Sequence, residues 1–243
     1  MKLPSKYIFL FTLLAVHSIA YSATTTNNPV SLSGNITFVS DYVFRGFTQT
    51  DGGPALQGGL IATHNSGGYV GIWGSNVKFL EAESEVVPED RAHLEIDYLA
   101  GYGGELSGGW SYDANWTYFT YPNTNRDLNY DTHEFTLKFG YKLQGTSLVA
   151  AYSYSPDDFG GIGKAHYYKI ATGYIAQNGI GFNLEAGRKS YSDDTAGENY
   201  TNYLASLSYS LGGLDFLLSY SDTDLEDTEA ADGRTFFSVS KTF

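Results

Sequence analysis

The stretch from Leu32 to Phe47, LSGNITFVSDYVFRGF, decides the fold. Apolar and aromatic residues alternate along it with Ser, Asn and Thr and, toward its end, with the charged Asp41 and Arg45. A period of two is typical of a β-strand with two different faces. The stretch is long for a strand of a soluble protein, where about five or six residues are usual. It therefore predicts the first strand of a membrane-spanning β-barrel.

The same alternation recurs through the rest of the chain. In the clearest case, Phe135, Leu137 and Phe139 alternate with Glu, Thr and Lys. About twelve such segments follow one another, an even number like that of single-chain outer-membrane barrels. Short turns alternate with longer, mostly acidic loops, which matches the short periplasmic turns and long extracellular loops of those barrels. We expect an all-β fold, a transmembrane antiparallel up-and-down β-barrel of about 12 strands.

The N-terminus has the pattern of a secretory signal peptide. Two lysines among the first six residues precede an apolar run that ends near Ile19, and small residues follow. This order of a basic region, an apolar region and a small-residue cleavage zone is typical of exported proteins. An uncleaved anchor is the alternative, but the run is shorter than the roughly 20 residues that span a bilayer. We predict a cleaved signal peptide at 1–22 and a barrel at 23–243.

The composition excludes several classes of function. The 27 acidic residues outnumber the 14 basic ones, which argues against nucleic acid as a partner because phosphates require a basic surface. The absence of cysteine excludes disulfide frameworks and thiolate metal sites. The 21 Tyr, 15 Phe and 28 Gly suit twisted sheet and tight turns. We predict no cofactor and no metal site, since the acidic loop 222–233 lacks the spacing of a calcium-binding loop.

The polar rows indicate that the apolar rows face lipid. In a soluble lipocalin-like barrel, the water-facing row would be rich in Lys and Glu, whereas here the polar rows are mainly Ser, Thr, Asn and Gly. The terminal Phe243 on an amphipathic strand resembles the signal that barrel-assembly machinery reads. Aromatic residues also gather toward the strand ends, as in the interfacial girdles of outer-membrane barrels. They include Tyr102, Trp110, Tyr112, Tyr118, Tyr154 and Tyr209.

Charged residues of the polar rows form the candidate functional site. If the apolar rows face lipid, these side chains line the lumen, where opposed charges can set a constriction and its ion selectivity. The alternative is cross-strand ion pairing that stabilises the wall. A barrel of this size is easily narrowed by long side chains or an inward loop. The predicted pore-lining residues are Asp41, Arg45, Glu95, Asp97, Asp113, Glu134, Lys138, Lys142, Lys169, Glu185 and Lys189.

The long loops add an acidic rim to one end of the predicted barrel. Such a rim would attract cations to the mouth, or bind divalent ions that bridge to lipopolysaccharide phosphates. The alternative is an ordinary solvated loop surface. The rim residues are Glu81, Glu83, Glu85, Glu89, Asp90, Asp222, Asp224, Glu226, Asp227, Glu229 and Asp232.

An enzymatic function has little support in the sequence. The chain contains no G-x-S-x-G motif and no paired Ser-His pattern. His93 and Glu95 share a strand face, but strand geometry separates them by about 7 Å, too far for a direct relay. We therefore predict no catalytic residues. The histidines outside the signal peptide are His64, His93, His133 and His166.

Several blocks of the chain resemble the TorF-type porin family. They are SDYVFRGFTQTDGGPALQGG at 40–59, GGYVGIWGSNV at 67–77 and EIDYLAGYGG at 95–104, with TYPN at 120–123 and the terminal VSKTF. The similarity covers essentially the whole mature chain. It implies an outer-membrane barrel of Gram-negative bacteria with a proposed pore function. It brings no functional residues to this sequence.

Together, the pattern and the resemblance predict a porin-like channel for passive diffusion of small hydrophilic solutes or ions, with a preference for cations. A plugged barrel that serves adhesion or structure is the first alternative. An outer-membrane lipid-modifying enzyme is the second. The expected partners are outer-membrane lipids, lipopolysaccharide, the barrel-assembly machinery and the transported solutes.

Overall fold

Twelve antiparallel strands form a closed barrel in a computed structural model of the protein, which describes residues 29–79, 92–193 and 197–243. Between the first two barrel strands, the short strands β2 (Val43–Phe44) and β3 (Phe47–Thr48) form a separate hairpin. The barrel strands are β1 (Val30–Val39), β4 (Ala55–His64), β5 (Gly68–Asn76), β6 (Leu94–Glu105), β7 (Trp110–Thr120), β8 (Thr132–Leu143), β9 (Thr146–Ser155), β10 (Ala165–Ile175), β11 (Gly181–Tyr191), β12 (Tyr200–Leu211), β13 (Leu214–Thr223) and β14 (Arg234–Thr242). Short 3₁₀ turns lie at Ser107–Gly109, Arg126–Leu128 and Glu229–Ala231.

Parts of the chain that the sequence singled out lie outside the described residues. The predicted signal peptide, residues 1–22, is one of them. Within the described ranges, no helix is both long and apolar enough to cross a bilayer. The rim residues outside those ranges are Glu81, Glu83, Glu85, Glu89 and Asp90.

Pairing between the first and last strands closes the sheet. β1 pairs with β4 on one side, where Phe38 lies opposite Leu56. On its other side it pairs with β14, where Phe38 lies opposite Val239. Because every barrel strand thus has two neighbours, no edge is left with unpaired backbone groups.

The two faces of the barrel wall differ as the alternation predicts. Outward positions carry large apolar side chains, such as Leu32 at 71% and Ile170 at 67% exposure. Inward positions carry buried polar residues, among them Thr117, Ser153 and Ser219. An apolar exterior around a polar interior is the reverse of a soluble protein and suits a lipid environment.

Connections alternate strictly in length around the barrel. Short turns link β4 to β5, β6 to β7, β8 to β9, β10 to β11 and β12 to β13, whereas longer loops join the strands at the opposite end. We call these two sides the short-turn end and the long-loop end. This alternation confirms the predicted up-and-down topology.

The predicted first strand is too long. β1 ends at Val39 because its ladders with β4 and β14 both stop there. The chain then turns into the barrel, and Tyr42 becomes buried. At the hairpin tip, Arg45 and Gly46 have φ of 50° and 93°, where glycine is favoured. A Cβ on Gly46 would also collide with Thr223.

Candidate functional site

The segment Ser40–Gly53, which we call the inward hairpin, crosses the lumen near the long-loop end. Its tip reaches β8, β9 and β10, the wall opposite β1, since β9 lies six strands from β1 in either direction. The ring of Phe44 lies 6.1 Å from that of Phe119 on β7. On the other side, Phe47 packs 5.1 Å from Tyr200 on β12. The inward hairpin therefore contacts walls on both sides of the lumen.

Arg45, at the tip, forms a two-pronged ion pair with Glu134 on β8. The Arg45 Nη1 and Nη2 atoms donate to the Glu134 Oε2 and Oε1 atoms at 2.7 and 2.8 Å. The guanidinium also lies 3.9 Å from the ring centroid of Tyr167. The Arg45 and Glu134 side chains are only 11% and 9% exposed. Bidentate, charge-assisted pairs of this kind are among the strongest polar contacts in proteins.

Asp41 holds the base of the inward hairpin. Its Oδ1 atom accepts hydrogen bonds from the hydroxyls of Thr48 and Thr50 at 2.5 and 3.1 Å. Its Oδ2 atom lies 3.2 Å from Nη1 of Arg234 on the closing strand β14. The charged residues predicted on the first strand thus have their partners across the lumen and on the closing strand.

Most other predicted lumen charges form ion pairs along the wall. Lys138 on β8 lies 3.6 Å from Asp113, its direct cross-strand neighbour on β7. Lys169 on β10 lies 3.1 Å from Glu185 on β11. A further pair joins Lys189 on β11 to the loop residue Asp158 at 2.5 Å. Lys142 lies beside a short turn, where its side chain is exposed.

Lumen acids and lysines are distributed unevenly around the barrel. Glu95 and Asp97 lie on β6 and Asp113 on β7, whereas the lysines of the previous paragraph follow on β8, β10 and β11. The lysine side also carries acids, Glu134 on β8 and Glu185 on β11, so it is not uniformly basic. The inward hairpin brings Arg45 to this side, where it meets Glu134.

Two lumen carboxylates have no basic partner in the described part of the chain. Glu95 and Asp97 are each 2% exposed. The Tyr121 hydroxyl donates to the Glu95 Oε1 atom at 3.0 Å, while Glu95 Oε2 and Asp97 Oδ1 have no hydrogen-bond partner. Burial raises the pKa of Tyr121, and the Glu95 and Asp97 charges raise it further.

An apolar cluster inside the barrel supports the inward hairpin. Tyr42 packs edge-on against Trp73 of β5 at 5.6 Å, and Val43 and Phe236 of β14 belong to the same buried group. Sequence reasoning missed this cluster because inward positions were expected to be polar. Two signals could have indicated it, the mixed phase of β5 and the adjacent aromatics at the start of β14.

The histidines of the described residues lie on the outer wall or in connections. His133 stacks on Tyr118 with centroids 4.3 Å apart. His166 lies between the Tyr152 hydroxyl, 2.8 Å from its Nδ1 atom, and the Ser192 hydroxyl, 3.3 Å from its Nε2 atom. Among the described residues, no group of three or more His, Asp or Glu is arranged to hold a metal ion.

Residues 23–243 match the model of a family described as a bacterial protein of unknown function, Gcw_chp. The chain belongs to the Gcw_chp family. No curated protein sequence matches it.

Solved structures with a similar fold are porins. The KdgM porin aligns with a TM-score of 0.57 and 9% identity, covering 87% of this chain and 98% of its own. The NanC porin aligns with a TM-score of 0.54 and 10% identity, covering 87% and 98%. At these identities the similarity establishes that this member of the Gcw_chp family has a porin-like barrel fold.

Proposed function

We propose that this protein is an outer-membrane channel through which small hydrophilic solutes and ions diffuse passively. The observation that carries the proposal is the charged, polar lumen inside a closed barrel whose exterior is apolar. A closed barrel satisfies every backbone group in lipid without edges. The proposal includes export by the N-terminal signal segment 1–22, residence of 23–243 in a Gram-negative outer membrane, and the TorF-type relationship.

The inward hairpin is the proposed constriction of this channel. It occupies the lumen near the long-loop end, where Arg45 and Glu134 meet. At the short-turn end some inward positions are small, as at Ser147 and Ser240, while the Tyr69 side chain lies over Gly101 and its hydroxyl donates to Asp113. The proposed narrow, charged section lies at the inward hairpin, and such a section controls which ions and solutes pass.

The proposed solutes are small and hydrophilic, and cations are favoured over anions. The acidic rim and the excess of 27 acidic over 14 basic residues support the cation preference, because a negative mouth concentrates cations. The KdgM porin is also known in complex with disordered oligogalacturonate, which supports a hydrophilic solute for the barrel described here.

Planar-bilayer recording of the refolded protein tests this function. We expect discrete conductance steps and, in a potassium chloride gradient, a reversal potential of the sign that marks cation preference. Liposomes containing the protein should also swell in solutions of small neutral sugars. A folded barrel that gives no conductance above the bare bilayer would instead be the plugged structural or adhesion protein.

A lipid-active enzyme is the second candidate, favoured by the contact of His166 with Ser192. A hydroxyl beside an imidazole nitrogen at the lipid interface is the arrangement of a nucleophile and its base. The partner on the other ring nitrogen is the Tyr152 hydroxyl rather than a carboxylate, which makes the imidazole a weaker base. Lipid hydrolysis that is lost in Ser192→Ala would establish this activity, whereas the channel function predicts no hydrolysis and unchanged conductance in that variant.

A further inference from the structure

Glu95 and Asp97 form a pair of buried carboxylates on the inner face of the barrel wall. They occupy alternate positions on β6 and therefore share its inward face. Both are 2% exposed, so neither side chain lines an open part of the lumen. One oxygen of each, Glu95 Oε2 and Asp97 Oδ1, has no hydrogen-bond partner among the described residues.

Among the described residues, no basic side chain compensates the charge repulsion between Glu95 and Asp97. The two carboxylates lie two residues apart on one face of β6, and the carboxylate of Glu134 is paired with Arg45. None of the ion pairs formed by lysines and arginines of residues 29–79, 92–193 and 197–243 includes Glu95 or Asp97. Buried carboxylates without a counter-charge are strongly unfavourable, so the pair has to be neutralised, either by protons or by a bound cation.

Two tyrosine hydroxyls flank the carboxylates without neutralising them. Burial raises the pKa of Tyr42 well above its usual value, and the charges of Glu95 and Asp97 raise it further. The same causes act on Tyr121. Both phenols therefore stay protonated and act as donors. Tyr121 donates to Glu95 Oε1, and the Tyr42 hydroxyl also interacts with the Glu95 carboxylate, while Glu95 Oε2 accepts no hydrogen bond of normal geometry from the described residues.

We propose that Glu95 and Asp97 bind a hard divalent cation of the Ca²⁺ class inside the barrel. Carboxylate oxygens are the ligands that such ions prefer, and one divalent charge balances two carboxylates. Water completes the coordination, because no third carboxylate or imidazole of the described residues joins the pair. With two protein ligands, the affinity is in about the millimolar range of weak calcium sites.

The bound cation would fix the inward hairpin to the wall of the barrel. Tyr42 begins the part of the inward hairpin that enters the lumen, and its ring packs on Trp73. Tyr121 begins the loop after β7. A cation that neutralises Glu95 and Asp97 therefore stabilises the contact between these two segments and β6. Binding of the cation does not depend on the proposed channel function. Only the role of the inward hairpin as the constriction rests on that proposal.

Thermal unfolding in detergent micelles free of lipopolysaccharide tests the site without measuring conductance. At Ca²⁺ concentrations about tenfold above the dissociation constant, binding should raise the melting temperature by roughly 3–6 °C over chelator-treated protein. Sodium chloride at equal ionic strength should give no comparable rise. In the double variant Glu95→Gln, Asp97→Asn we expect the Ca²⁺-dependent rise to disappear. Glu185→Gln, which removes a carboxylate paired with Lys169, should retain it.

Several results would overturn the site. One is that the melting temperature of the wild-type protein is the same in chelator and in Ca²⁺. Another is that the double variant shows the full Ca²⁺-dependent rise in melting temperature, which would place the ion elsewhere. If the double variant does not fold, Asp97→Asn alone should weaken Ca²⁺ binding at least tenfold in equilibrium dialysis, and unchanged binding would again contradict the proposal. Ca²⁺ binding is measured in micelles, so its outcome does not depend on whether the protein conducts ions in a bilayer.

Discussion

At the scale of single residues, the lumen depends on contacts between positions far apart in the sequence. Alternation predicts that Asp41 and Arg45 point inward. Both lie inside the barrel, but the inward hairpin carries them there together with Tyr42 of the opposite phase. Their partners could not be predicted, because Glu134 and Arg234 lie 89 and 193 residues away. Which distant charges meet depends on the order of strands around the barrel and on the path of the inward hairpin.

Removal of the Arg45 side chain should affect both stability and ion flow. Arg45→Ala leaves the Glu134 carboxylate buried without its partner, and loss of one member of a buried pair costs about 3–5 kcal/mol. It also removes a positive charge from the constriction. We expect a lower melting temperature, together with higher conductance and stronger cation preference in planar bilayers.

A double-mutant cycle separates these two effects. Adding Glu134→Gln to Arg45→Ala should recover most of the lost stability, because no uncompensated charge then remains. Lys169→Ala is the matched control, since its pair with Glu185 is more exposed at 25% and 15% and should matter less. Unchanged selectivity with lower stability in Arg45→Ala would show that the pair is structural alone.

At the scale of elements, the sequence predicts the regular strands well and the inward hairpin poorly. The alternating segment of Phe135, Leu137 and Phe139 lies within β8, at Thr132–Leu143, as the sequence predicts. The stretch after Val39 keeps its period of two, because β2 and β3 are also extended strands. Periodicity reports an extended backbone but not the surface on which it packs, so the change from wall to lumen leaves no mark in the pattern.

Shortening the inward hairpin should widen the channel. If Val43–Thr48 is replaced by two glycines, the barrel should still form, since β2 and β3 pair only with each other. The segment that contacts both walls is then gone, and we expect single-channel conductance to increase several-fold. A smaller solute cutoff in liposome swelling would contradict this expectation.

A second deletion controls for general effects of loop shortening. The turn Arg126–Leu128 lies in another long loop, where Arg126 and Asp127 are exposed and Leu128 is half-buried. Shortening this turn should leave conductance close to that of the wild type. If both deletions raise conductance equally, the long loops together, rather than the inward hairpin, would set the constriction.

At the scale of the whole molecule, the alternation of faces, the even number of strands and the lengths of the connections were enough to predict a closed barrel. The filling of the lumen was not predictable in the same way. Trp73 and Phe236 occupy inward positions that a water-filled channel would reserve for polar residues. Their burial depends on the inward hairpin lying against them, which is a tertiary contact.

The acidic rim should act on ions through long-range electrostatics, and salt should therefore control its effect. Glu226, Asp227, Glu229 and Asp232 follow β13 and are exposed. We predict that neutralising these four, with Asn at position 227 because its φ is 54°, weakens the preference for K⁺ over Cl⁻ at about 10 mM salt, where the Debye length is about 30 Å. At about 1 M salt the Debye length is about 3 Å, and the variant should have the same ion selectivity as the wild type.

The four substitutions at the rim should leave the barrel intact, because Asp224 is not changed. Its Oδ1 atom accepts a hydrogen bond from the backbone N–H of Thr201 at 2.5 Å, and its Oδ2 atom lies 3.4 Å from Arg188. Reversal potentials measured across salt gradients give the selectivity directly. A loss of cation preference that persists at high salt would place its origin in the lumen, at charges such as Asp113, rather than at the rim. If the variant keeps its full preference for K⁺ over Cl⁻ at low salt, the rim is merely solvated surface.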